Sequence, residues 1–324
     1  MVSFLSSSSR PALLFTLFFV AALVAANYTI GIEARLQALP WYLAIAGFFI
    51  FFSIVVSLVW GLQYEWGPKE RSGAPVATVR GGRIRVETAT KAQSYFKPKM
   101  VSLLALAVFF FSLKMVHWDL LSLLPRRLGY PWNRYTLLVL QLPLKLALLF
   151  LFLGLCRRLD LTGNLREIGL TGRGFRPGPY FGLLLLLVPL VAIASTQHDF
   201  LAVYPKAGQL GFLDAYAKPS WPWKAVYEVC YGLDFLGIEL FFRGLLVIGL
   251  VRYAGADAIL PMAAFYCTIH FGKPMGECIS AFFGGLVLGV VAYRTRTIYG
   301  GLIVHLGLAW LMELGGWLEH LWMH

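Results

Sequence analysis

The chain has 324 residues, of which 59% are hydrophobic and only 14% charged, with a mean hydropathy of +0.70. Soluble domains run near 25% charged, so this composition excludes an ordinary water-soluble globule and requires much of the apolar surface to lie in lipid. Net charge is +12, from 28 Lys+Arg against 16 Asp+Glu. Membrane proteins accumulate Lys and Arg in their cytoplasmic loops, and the sequence has no aromatic-plus-basic module of the kind that binds RNA, so no nucleic-acid partner is expected.

Taken in chain order, apolar runs long enough to span recur about nine times. They lie near 11–27, 41–62, 100–116, 135–156, 179–195, 224–251, 256–270, 277–293 and 299–314. The expected fold is an all-α polytopic membrane bundle of about nine transmembrane helices. The seventh run is short enough to be tilted, broken or re-entrant. The first also has signal-peptide features, with Arg10 ahead of the apolar run and Ala25-Ala26 at its end. The many later spans make a retained first helix the simpler reading.

The stretch 64–99 carries Lys69, Arg71, Arg80, Arg83, Arg85, Lys91, Lys97 and Lys99, and 156–179 carries Arg157, Arg158, Arg166, Arg173 and Arg176. With Arg252, Arg294 and Arg296, nine alternating spans put all of these on one side, the cytoplasm, together with the N-terminus. The Arg126-Arg127-Arg134 loop then falls outside, the single misfit. Within 64–99, Val76–Arg80 and Arg83–Glu87 flank Gly81-Gly82, the pattern of a small cytoplasmic β-hairpin with a tight turn. Its basic side chains suit anionic headgroups; a solvated loop is the equal alternative. The four cysteines, Cys156, Cys230, Cys267 and Cys278, have neither CxxC nor zinc-ligand spacing and read as small buried hydrophobes.

An ionisable side chain inside a span costs roughly 2.5–3.5 kcal/mol or more unless paired or hydrated. Asp234, Glu239, Arg243, His270, Glu277, His305 and Glu313 nevertheless crowd into the apolar C-terminal part of the chain. Glu239 and Arg243, four apart, share a helix face and can pair. His270 closes an apolar run shortly before Pro274, and His305 lies inside one. Taken singly, each is more often a structural feature than a catalytic one. Together they describe a polar, watered cavity between helices. Gly285 and Gly289 form a GxxxG that permits close helix approach.

The stretch 224–313 resembles the CPBP family, the CAAX proteases and bacteriocin-processing enzymes also called abortive-infection proteins. Its elements are a Glu-Glu-x-x-x-Arg helix, a Phe-x-x-x-His helix and a His-x-x-x-Asn helix. Here Glu239 stands at the second Glu, Arg243 at the Arg, and His270 and His305 at the two histidines. Tyr266 replaces the Phe, a mild exchange, while Ile238 stands at the first Glu and Ala309 at the Asn. The resemblance implies an intramembrane endopeptidase in which Glu and His activate a water against a peptide bond. The first region, 1–178, is then a set of N-terminal helices, and 179–324 is the family-like core. A bacterial inner membrane is the implied home, and a peptide or membrane-protein segment the implied substrate.

Neighbouring side chains point about 100° apart on a helix, so Glu239 cannot take the place of a carboxylate at position 238. Asp234, one turn before Ile238, Glu313, on the His305 face, and Glu277, returned toward His270 by Pro274, are candidates for the displaced carboxylate. No cofactor is expected. Two histidines and a carboxylate are compatible with zinc, but no HExxH helix is present. Two other readings remain. One is a non-catalytic descendant that binds a peptide or membrane partner. The other is a transporter or channel, against which the sequence shows no matching pair of interrupted halves.

Overall fold

The structure is a computed structural model that describes residues 10–66, 75–80, 83–88, 97–116 and 128–322. Its principal helices are α1 (Arg10–Ile30), α2 (Trp41–Trp66), α3 (Pro98–Met115), α4 (Trp132–Arg158), α5 (Gly178–Ser195), α6 (Trp221–Glu239), α7 (Ile259–Thr268), α8 (Met275–Thr295) and α9 (Tyr299–Trp322). Two strands, β1 (Pro75–Arg80) and β2 (Arg83–Thr88), pair antiparallel with Val79 opposite Ile84. Gly81-Gly82 between them, and Lys69, Arg71, Lys91, Arg126 and Arg127, lie outside the described residues.

Among the described residues seven helices, not nine, are long and apolar enough to cross a membrane: α1 to α5, α8 and α9. The chain is an integral membrane protein. The expected count of nine is corrected at the sixth and seventh runs. Helix α6 carries Lys224, Glu228, Asp234 and Glu239, too many charges for a lipid-facing span, and passes directly into a π-helical segment, Leu240–Ile248. Helix α7 has only 10 residues, about 15 Å of rise against a hydrocarbon core of about 30 Å. Every one of those residues is buried. The run is apolar because protein surrounds it on all sides, a pattern that hydropathy alone does not separate from lipid exposure.

Helix α5 shows the contrasting case. It leaves Phe181, Leu185, Leu186, Leu190 and Ile193 exposed, as a lipid-facing span must. Its other side meets the glycines of α9. A Cβ at Gly307 would come within 2.4 Å of Leu184, and one at Gly315 within 3.1 Å of Ser195. The GxxxG of α8 works likewise, since Cβ atoms at Gly285 and Gly289 would lie 3.2 Å from Tyr266 and 2.7 Å from Met262. Small residues thus draw α8 onto α7 and α9 onto α5. The π segment packs among Phe52, Phe111 and Phe265, with Phe241 5.0 Å from the Phe111 ring and Phe242 5.4 Å from the Phe265 ring. This aromatic core fixes the junction between α6 and the π segment, where the polar side chains begin.

Candidate active site

Glu239 is the last residue of α6 and is fully buried. Its Oε1 accepts a hydrogen bond from His305 Nδ1 at 3.0 Å and lies 2.9 Å from Arg243 Nη1. Gly301, on the first turn of α9, makes the room: a Cβ there would stand 2.1 Å from Glu239 Oε2. Arg243 is as deeply buried as its partner, at 1% exposure. The contact between them is close, yet the guanidinium nitrogens meet no hydrogen-bond geometry among the described residues, and neither does Glu239 Oε2. The charge is compensated by proximity and by the Tyr266 ring, whose centroid lies 4.4 Å from the Arg243 guanidinium carbon.

The two histidines have complementary environments. A carboxylate only accepts, so His305 carries its hydrogen on Nδ1 and presents a lone pair at Nε2. That lone pair accepts the Tyr266 hydroxyl at 3.0 Å. His270 Nδ1 donates to the Tyr266 carbonyl at 2.8 Å, which leaves its Nε2 as an acceptor with no bond among the described residues. Tyr266 therefore touches both histidines, one through its backbone and one through its phenol. The Phe235 ring closes against His305, with centroids 4.7 Å apart.

The remaining carboxylates are held elsewhere. Asp234 pairs with Lys114 of α3 at 2.9 Å, on the side of α6 that also faces Lys145 of α4. Glu277 accepts from Lys273 at 2.7 Å and from the Tyr204 hydroxyl at 3.0 Å, within electrostatic range of His270. Glu313 accepts two backbone N–H groups, Lys206 at 2.7 Å and Ala207 at 3.1 Å, and so caps the 3₁₀ segment Lys206–Ala215. Ile238 packs at the edge of the main apolar cluster, and Ala309 is buried on α9. Of the seven polar residues singled out in the sequence, Glu239, Arg243 and His305 share direct contacts, and His270 joins them through Tyr266.

Sequence reasoning passed over Tyr204, Lys206 and Glu228. The first two belong to the segment between α5 and α6, where nothing marks a tyrosine or lysine as inward-facing. Burial pushes the Tyr204 phenol up, with the Glu277 charge adding to it, so it stays a hydrogen-bond donor. Burial, then the Lys273 charge, lowers the Lys206 amine. Glu228 lies in an apolar stretch of α6, and both its oxygens are buried without a hydrogen bond among the described residues; the cost of intramembrane charge was a signal for it. An open cavity of about 660 Å³ is lined by Leu201, Tyr204, Lys206, Gln209 and His320 among others.

The cap by Glu313 has a measurable consequence. Hydrogen bonds to charged groups contribute roughly 1.5–3 kcal/mol each, and Glu313→Ala removes two. Thermal unfolding in detergent is expected to show a lowered midpoint, and limited proteolysis to cut within residues 196–220. Unchanged proteolysis there would mean that the segment does not depend on this carboxylate.

Residues 225–311 match one family model, described as Rce1-like: type II CAAX prenyl endopeptidase Rce1-like. No curated protein and no solved structure matches the chain significantly.

Proposed function

We propose that this chain, whose residues 225–311 match the Rce1-like CAAX prenyl endopeptidase model, is an intramembrane endopeptidase of CPBP type that hydrolyses a peptide bond in a peptide or membrane-protein segment. The observation that carries this reading is the Glu239–His305 contact at 3.0 Å in a buried site. A carboxylate that fixes an imidazole tautomer and leaves its other nitrogen basic is the arrangement general-base catalysis needs. His270 Nε2, an acceptor with no bond among the described residues, would hold the attacking water. Arg243 lies 2.9 Å from Glu239 Oε1 and offsets its buried charge. Asp234, Glu277 and Glu313 then serve the walls of the site, through Lys114, Tyr204 and the Lys206 turn respectively.

The reading is metal-free. Zinc takes three protein donors in a catalytic site, and here both His305 nitrogens and His270 Nδ1 are already committed. The partners are the substrate segment and the bilayer, with residues 179–324 as the catalytic core. By the positive-inside rule and the family resemblance, we place the chain in a bacterial inner membrane, with the N-terminus and the 75–88 strand pair in the cytoplasm. A second reading, a family-fold protein that binds a peptide without cutting it, draws on Ile238 and Ala309, which occupy two expected polar positions.

Cleavage of a peptide library by purified protein in detergent separates the two. The wild type is expected to cut, and His270→Ala and His305→Ala each to lose at least about 100-fold in kcat, the lower range for a lost acid–base group, with their folds intact. A folded wild type that binds peptides and cuts none would establish the second reading instead.

A further inference from the structure

In the usual pattern of this family a first Glu is at hand for the water; in this chain Ile238 stands there. Glu239 is not a substitute, because its Oε1 is occupied by His305 and Arg243 and its Oε2 faces Gly301 across a gap too small for a Cβ. Glu239 can therefore act on a water only through His305. The basic nitrogen of His305 is itself covered, since Nε2 holds the Tyr266 hydroxyl at 3.0 Å. Each hydrogen bond in the row runs the same way, Tyr266 Oη–H to His305 Nε2 and His305 Nδ1–H to Glu239 Oε1. The far side of the row is His270, whose ring centroid lies 4.6 Å from the Tyr266 ring and whose Nε2 has no bond among the described residues.

We propose that Tyr266 is a further catalytic residue, a proton relay between the attacking water and the Glu239–His305 pair. The proposal rests on the endopeptidase reading above. As the water oxygen bonds to the substrate carbonyl carbon, the carbonyl π pair moves onto oxygen. One water proton passes to Tyr266 Oη while the Tyr266 proton passes to His305 Nε2, giving an imidazolium beside the Glu239 carboxylate. On collapse, the C=O re-forms and the C–N bond breaks. The same relay runs backward, His305 to Tyr266 to the departing amine nitrogen, and His305 is neutral again. The products are a carboxylic acid, which ionises, and an amine; protons and electrons balance with no co-reactant. Arg243 lies over the ring, its guanidinium carbon 4.4 Å from the centroid, and helps to hold the phenol in line with His305. His270 takes part without titrating, its Nε2 accepting the second proton of the water as a hydrogen bond.

Two proton transfers in one step leave a signature that a structural tyrosine does not. Tyr266→Phe removes only the hydroxyl and restores the residue type of the family pattern. Wild type and this variant are compared in the cleavage assay, with kcat and KM measured separately in mixtures of light and heavy water. We expect kcat to fall at least about 100-fold with KM within about threefold, an unchanged thermal midpoint, and a curved dependence of kcat on deuterium fraction in the wild type that becomes linear in the variant. A Tyr266→Phe protein that keeps kcat within about threefold while His305→Ala is inactive would overturn the relay and leave the endopeptidase reading standing. A wild type that cuts no peptide would remove both. A kcat loss accompanied by a lowered thermal midpoint and an unaltered deuterium dependence would reduce Tyr266 to a packing residue.

Discussion

Glu239→Ala is expected to abolish cleavage and to cost about 3–5 kcal/mol of stability, the range for stranding one member of a buried ion pair. The size follows from where Arg243 sits. Its side chain is 1% exposed, and among the described residues Glu239 is its one carboxylate contact. Tyr266 supplies a ring face, which offsets a small part of a full buried charge. The double variant Glu239→Leu with Arg243→Met tests the cause. Replacing both partners with apolar groups of similar volume is often neutral or stabilising, so the thermal midpoint in detergent should return close to the wild type while cleavage stays absent. Stability and catalysis would then separate at a single carboxylate. A double variant as unstable as the single one would show instead that Glu239 is held for its bond to His305 and not for its pairing with Arg243.

The same four-residue spacing made the Glu239–Arg243 pair legible from sequence, because an i, i+4 relation survives any tertiary arrangement that keeps the helix. The pair in fact straddles a junction, α helix before and π helix after. It holds there because its partners are one turn apart in either form. Most spans were legible for a similar reason, since hydropathy is a local property. The two runs that misled are those where the local signal has two causes. Ile259–Thr268 is as apolar as a span but is buried by α2, α8 and the π segment, and α6 carries charges that face protein rather than lipid.

The site was harder to read, because its decisive contact joins residues far apart in the chain. Tyr266 in place of Phe is a mild exchange by size and hydropathy. Among the described residues its hydroxyl is the one hydrogen-bond partner of His305 Nε2, and no spacing rule gives the distance from position 266 to position 305. The family resemblance sets a carboxylate where Ile238 stands, and that the neighbouring Glu239 faces elsewhere follows from the helix period. Asp234, Glu277 and Glu313, the candidates for a displaced carboxylate, each have their own partner. The sequence gives no sign of the phenol's role, because a tyrosine in an apolar run reads as packing.

Gly301→Ala is the second substitution expected to have a large effect, and it adds a single methyl group. That carbon would stand 2.1 Å from Glu239 Oε2 and 3.0 Å from the carboxyl carbon, closer than any real contact. Backbone relief is limited, because the neighbouring Gly300 already sits against the Tyr180 ring, where a Cβ would come within 2.3 Å. The carboxylate has to swing, and its bond to His305 Nδ1 goes with it. Overpacking of this kind costs about 1–3 kcal/mol. Were that to fall on the transition state, it would lower kcat by roughly 5–150-fold, at 1.36 kcal/mol per decade. Gly232→Ala is the control, since its Cβ would meet Leu306 and Trp310 of the same helix pair at 3.4 Å, an ordinary contact. It should leave kcat within about twofold. Equal losses in both variants would attribute the effect to general loosening of α6 against α9. A loss confined to Gly301→Ala, with the thermal midpoint lowered by only a few degrees, would place the functional demand on the position of one carboxylate oxygen.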